Sequence, residues 1–339
     1  MRNLSVVFLT LVWFVAPGVS AEVDSSSLHR RALEGAKNAV RLIDRTSATF
    51  LETRKCFTCH TQTFAALVLT DAERAGIDIN DKNLAAQVER AYEIYDLPAV
   101  RRPSSSLRGV RPDAVGHALL TLDIGQHPPN DKTEAMLRYL LDYGKESGHW
   151  KVAIENREPA EASNFTTNYL AVRAATRYGT AELKDDIAAR RTAVEAWFAK
   201  AEAKNTEDQV FRLFLANELG IPSKSREPFV RRLLDEQLAD GGWAQKAGMK
   251  PDAYATASVL VALNKAGGTS AGHPQWQNGV QYLLKTQQPD GSWHVASRAK
   301  PVQKHFESGF PHGKDQFISA FATGWATEVL LILILSEES

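Results

Sequence analysis

The chain has 339 residues, 44% of them hydrophobic and 24% charged, ordinary values for a protein that buries a large core. Forty basic side chains balance forty acidic ones, which leaves no surplus for the basic face that a nucleic-acid protein needs to neutralise phosphates. Length alone allows two domains, but closed helical rings run this long as one.

At the N-terminus Arg2 precedes an apolar run over 4–15, and Val19-Ser20-Ala21 follows as a small-residue cleavage signal. The segment 1–21 is expected to be a secretory signal peptide, with an uncleaved anchor helix as the alternative. The mature chain, 22–339, is expected to form a single domain in the bacterial periplasm. No period-2 alternation stands out, whereas the 3.6-residue period recurs along the chain, so the expected class is all-α. The first pair of helices is expected over 28–51 and 61–75. Between them lies Cys56-Phe57-Thr58-Cys59-His60, which holds the only two cysteines of the chain.

In an exported protein, C-x-x-C-H reads as a c-type haem attachment site. Each thiol adds to one vinyl group, and His60 becomes the proximal iron ligand. A dithiol redox pair, a structural disulfide and half of a zinc site are the alternatives. The flanking βαβ pattern of the first is missing, and no second ligand pair completes the last.

Further pairs are expected over 82–95 with 113–124, and over 190–203 with 209–219. Three later helices end at a common spacing before a tryptophan. Leu140-Leu141 leads to Gly148-x-Trp150, Leu233-Leu234 to Gly241-x-Trp243, and Leu283-Leu284 to Gly291-x-Trp293. The two fuller copies read Gln237-Leu-Ala-Asp-Gly-Gly-Trp243 and Gln287-Gln-Pro-Asp-Gly-Ser-Trp293. Asp-Gly supplies a side-chain-to-backbone hydrogen bond and a residue tolerant of positive φ. The Trp then folds back over the helix ends. After each turn comes an apolar, small-residue-rich helix, over 165–178, 253–265 and 316–335, suited to an inner layer; the charged helices before the turns suit an outer one. The apolar stretch 329–335 is too short to span a bilayer and reads as a buried face, so no membrane span is expected in the mature chain. Six outer–inner pairs result. Closure into a ring is favoured over an open solenoid, because the last inner helix is the most apolar and lacks a polar capping face.

These Q-x-x-D-G-x-W turns resemble the repeats of the squalene–hopene cyclase and prenyltransferase superfamily. The resemblance implies an α/α toroid of about six helical hairpins around a central cavity. It does not carry over the chemistry. The D-x-D-D acid of the cyclases is missing, and the cysteines of a prenyltransferase zinc set are committed to C-x-x-C-H. Asp113 and Asp252 are expected to cap inner helices, and Asp185-Asp186 to lie on a solvated outer face.

On such a ring the haem motif sits at the end that holds the outer-to-inner turns. His149, Trp150, Trp243, Met249, Trp293, His294 and the long segment 296–315 share that end. His305 and His312 are expected as candidate distal ligands, with Met249 a weaker one. His127 and His273 fall at the opposite end, and His117 is expected to be a core histidine. Arg101, Arg102, Arg108 and Arg111 are candidates for pairing with haem propionates. The functional expectation is an exported mono-haem c-type protein with a redox partner protein. It acts in electron transfer or in haem-dependent chemistry on a lipid-like or isoprenoid ligand in the cavity. A ligand-binding protein with a structural haem, and a cyclase-like enzyme without the D-x-D-D acid, are the rivals.

Overall fold

The computed structural model describes residues 25–95, 111–153, 157–300 and 306–336. The apolar leader, Arg101, Arg102, Arg108 and His305 lie outside the described residues. Within them are twelve α-helices and no named strand. The outer helices are α1 (Ser25–Thr53), α3 (Asp81–Glu93), α5 (Asp131–Asp142), α7 (Lys184–Phe198), α9 (Ser223–Asp235) and α11 (Pro274–Thr286). The inner ones are α2 (Phe64–Arg74), α4 (Pro112–Ile124), α6 (Asn164–Tyr178), α8 (Thr206–Glu218), α10 (Ala253–Lys265) and α12 (Gln316–Ser336).

Local chemistry starts these helices where the sequence provides it. Asn80, Ser163, Asn205 and Asp252 accept hydrogen bonds from first-turn amides of α3, α6, α8 and α10. Asn130 and Thr133 form a reciprocal capping box on α5. Asp252 thus caps α10 as expected. Asp113 does not cap α4: it lies inside the first turn and pairs with Arg111 at 2.6 Å.

Each inner helix packs against the next, and α12 packs against α2, so the inner ring is closed. The outer layer closes as well, with α11 against α1. Helix α12 is long and apolar enough to cross a membrane, but 89% of its apolar window is buried inside the protein, which makes it a core helix.

The three G-x-W turns are built alike. Trp150, Trp243 and Trp293 are buried, and each indole donates to the carbonyl ten residues before it: Leu140 at 2.6 Å, Leu233 at 2.6 Å and Leu283 at 2.8 Å. Their backbone amides donate to Asn168, Thr256 and Thr323 on the following inner helices. One residue thereby satisfies an orphaned carbonyl at the outer helix end and fixes the inner helix beside it. Gly241 and Gly291, at φ +89° and +90°, take the left-handed conformation that Asp-Gly predicts.

The ring is filled at its centre by aromatic side chains. Phe64 lies edge-on to Trp325 (4.9 Å between centroids) and to Phe321 (5.2 Å), while Phe214 stacks on Trp325 and also meets Tyr169. Gly324 permits this packing, since a Cβ there would overlap Phe64.

Candidate functional site

The C-x-x-C-H motif forms the corner between α1 and α2. Cys59–Thr63 is a π-helical turn leading into α2, a geometry that recurs at functional sites. Gln62 folds back to hold it, accepting from the Thr58 amide at 2.7 Å and from its hydroxyl at 3.1 Å. Cys56 is exposed and Cys59 buried, and neither thiol is in a disulfide.

His60 is wedged against α12, edge-on to Phe317 (4.9 Å) and tilted against Phe321 (5.8 Å). Its Nδ1 is buried without a hydrogen-bond partner. Burial, helped by Arg157, pushes the imidazole down to about 3, so it is neutral at any physiological pH. A narrow cleft of about 20 Å³ lies beside it, lined by Ser47, Phe64, Ser308 and Phe310 among others.

A segment that the sequence did not single out dominates the mouth of the ring. Residues 157–163, between Trp150 and α6, reach every other repeat. Glu161 accepts from the Cys59 Sγ at 3.3 Å and from Arg111 at 2.8 Å. Arg157 pairs with Glu161 at 3.4 Å and lies over Phe317 at 4.1 Å. Glu158 pairs with Lys246 at 2.8 Å and with Arg298 at 2.5 Å. Ser163 donates to Asp208 at 2.6 Å. Repeats one, two, four, five and six are all engaged by seven residues of the third.

The electrostatics follow from burial. Burial, and then the Glu161 carboxylate, push the Cys59 thiol well above its usual range. Burial also raises Glu161, but Arg157 and Arg111 outweigh it and hold the group below the ordinary carboxylate range. Asp113 is raised to about 6 by burial despite Arg111. His117, a buried core histidine as expected, is lowered to about 4 by burial.

Deeper at the same end, Glu207 on the first turn of α8 is buried. It accepts from the Tyr254 hydroxyl at 2.8 Å and from Thr166 at 3.1 Å. Burial pushes it up to about 8, leaving a protonated carboxylic acid at neutral pH.

Several sequence candidates are engaged elsewhere. Arg111 is not a solvated arginine awaiting a propionate: Asp113 and Glu161 already pair with it. His312, at φ +81°, sits against Ser292 (3.2 Å) and His294 (4.6 Å between rings). His294 pairs with Asp315 at 2.9 Å, and His149 stacks on Trp197. Met249 is exposed on the fifth repeat's turn, next to Leu238 and Lys246. His127 stacks on Tyr92 at the far end.

The residues fit covalent haem attachment in their chemistry. Two free thiols flank the turn, one of them open to solvent, and the adjoining imidazole is neutral with an unused nitrogen. If haem were bound, Cys56 and Cys59 would hold its porphyrin and the His60 imidazole would face the iron. Among the described residues no group of three or more His, Cys, Asp or Glu is arranged to hold a bare metal ion.

No protein-family profile matches the chain, and no curated protein matches it. Solved structures do. A variant of the type II terpene cyclase MstE from Scytonema, in complex with merosterolic acid A as product, is similar with a TM-score of 0.54 at 12% identity, over 90% of this chain and 99% of that one. Another MstE variant, in complex with geranylgeranyl dihydroxybenzoate as substrate, gives 0.52 at 13% identity, over 90% and 99%. A protein from Actinoplanes gives 0.53 at 12% identity, over 91% and 99%. At these identities the likeness is one of fold: the chain is an α/α toroid of the kind seen in type II terpene cyclases.

Proposed function

We propose that this chain is an exported mono-haem c-type protein, with haem carried on Cys56 and Cys59 and His60 as the proximal iron ligand. It works in electron transfer, or in redox chemistry on a ligand held by the ring. The observation that carries the reading is the state of the C-x-x-C-H corner, with both thiols free and a neutral imidazole whose Nδ1 has no partner. Once bound, the group supplies one-electron chemistry at iron. Export to an oxidising compartment and a redox partner protein belong to the same reading.

The test is expression of the full chain in a host with a cytochrome c maturation apparatus. The expected product has the mass of the mature polypeptide plus one haem and gives a c-type pyridine haemochrome spectrum. Cys56→Ala should retain at most one thioether. Recovery of the bare polypeptide alone would overturn the reading.

A second reading rests on Glu207: a lipid-like or isoprenoid ligand bound, or cyclised, beside a neutral carboxylic acid. The aromatic rings that fill the lumen would suit such a ligand, but they must move aside to admit it. Conversion of a geranylgeranyl compound without any redox partner, lost in Glu207→Gln, would favour this reading over the first.

A further inference from the structure

The seams between neighbouring outer helices are not equivalent. Between α9 and α11 the seam is shut. Gly279 lets α11 approach so closely that a Cβ there would lie 3.1 Å from Trp243 and 2.8 Å from Leu260. Trp276 fills the remaining space, fully buried, with its indole donating to the Leu260 carbonyl at 2.9 Å. Between α5 and α7 a hollow of about 240 Å³ remains, with α6 as its floor. Its walls are mostly apolar, from Leu141, Trp150, Val172, Ala175 and Ile187, with Thr176 beside them.

Two arginines line that hollow, and Arg191 is already engaged, paired with Glu195 at 3.2 Å and donating to the Leu219 carbonyl at 2.7 Å. Arg190 is only 6% exposed and lies over the Trp150 ring at 3.9 Å. Its terminal nitrogens reach two carbonyls at the end of α5, Tyr143 at 3.2 Å and, weakly, Gly144 at 3.5 Å. Its Nε has no partner, and the carboxylates of Glu146 and Asp142 act on it electrostatically with no salt bridge recorded to either among the described residues. A guanidinium has five N–H donors, so three lack an acceptor here. Capping α5 accounts for two hydrogen bonds. It does not account for an arginine at this position, because a neutral amide does the same work in the shut seam, where Gln275 donates to the Leu234 carbonyl at 2.9 Å.

We propose that the α5–α7 hollow is a binding site for a small amphipathic carboxylate, such as a medium-chain fatty acid anion. The alkyl chain would lie on Val172, Ala175 and Ile187, and the carboxylate would take the free guanidinium hydrogens of Arg190. Mostly apolar walls with a small number of polar anchors are the usual make-up of a small-ligand site. A buried guanidinium with unused hydrogens gains from a ligand whose carboxylate accepts them directly. The site is on the side of the ring and does not depend on the haem reading.

Isothermal titration of the full chain with decanoate, below its micelle concentration, tests the proposal. Saturable binding is expected, at least about tenfold tighter than decanol, the size of effect a hydrogen-bonded charge pair supports. Arg190→Gln should weaken decanoate to the level of decanol. Ala175→Phe fills the hollow from its floor without touching the α5 cap and should abolish both. Absence of saturable binding, equal affinity for decanol and decanoate, or unchanged binding in Ala175→Phe would each overturn it. Because Ala175→Phe leaves Arg190 in place, a folding defect in Arg190→Gln does not decide the outcome.

Discussion

Gln287 in the last repeat donates to the carbonyl of Gly35 in the first helix at 2.9 Å. The same bond joins Gln237 to the carbonyl of Gln275 one repeat earlier, at 2.8 Å. The sixth turn therefore treats α1 as its next neighbour, just as the fifth treats α11. The glycines agree: Gly241 lies on the backbone of Asn278 and Gly291 on that of Asn38. Ring closure uses the same parts as any internal joint.

Gly291→Ala should therefore open the closing seam. Its φ is +90°, and a Cβ would sit 2.6 Å from the Asn38 backbone, which cannot swing away as a side chain can. Gly248→Ala, at φ +81° with open space around it, carries only the left-handed penalty of roughly 1–2 kcal/mol. Urea denaturation of both variants should show Gly291→Ala clearly the more destabilised.

The two thiols should react at different rates in the haem-free protein. Cys56 is exposed, whereas Cys59 is buried with its proton held towards Glu161. Iodoacetamide followed by peptide mapping should label Cys56 first, with Cys59 labelled only on unfolding. Equal labelling of both under native conditions would contradict the Glu161 contact.

Glu207 should make the protein less stable as pH rises. Its carboxyl is raised in the folded state to about 8, above the unfolded value near 4.3, so the folded form binds the extra proton. Its contribution is present in full below about pH 4 and is lost progressively up to about pH 8, by a few kcal/mol in total. Glu207→Gln keeps the neutral shape and should flatten this part of the melting-temperature profile. An unchanged profile would show that another group is responsible.

The two carboxylates of the 157–163 segment should differ in worth. Glu161→Ala leaves Arg111 and Arg157 without their shared carboxylate at a buried site, a change that costs about 3–5 kcal/mol. The side chains of Glu158 and Lys246 are 34% and 39% exposed, and truncating such a pair costs under about 1 kcal/mol. Thermal melts at low and high salt should show Glu158→Ala alone becoming milder as salt rises.

The ring was legible because its joints are local chemistry. Asp-Gly turns and a tryptophan at fixed spacing declare themselves within ten residues, and α10 spans Ala253–Lys265, the range its composition predicts. Helix α7 was less legible. The charged segment 190–203 suggested a helix there, but the helix starts at Lys184, where the run Lys184-Asp185-Asp186 has no apolar period to read, and ends at Phe198.

The C-x-x-C-H corner was legible for the same reason as the turns. Its surroundings were not. Glu161 lies 102 residues from Cys59 and Tyr254 lies 47 from Glu207, so only the closed ring brings each pair together. One signal was available: the stretch from Trp150 to α6 is longer than the matching one from Trp243 to α10, and extra length in a repeat marks a place where the chain does something its copies do not. The partners of Arg111 and His312 were not legible either, because a cation or an imidazole in a loop is equally ready to find one inside the protein.

In an ordinary solenoid each unit feels only its neighbours, so one end can fray while the rest stands. The 157–163 segment acts here as the hub of a wheel, with spokes from Cys59, Arg111, Asp208, Lys246 and Arg298 converging on it. Damage at any rim position is felt across the diameter, and the molecule is built to come apart all at once.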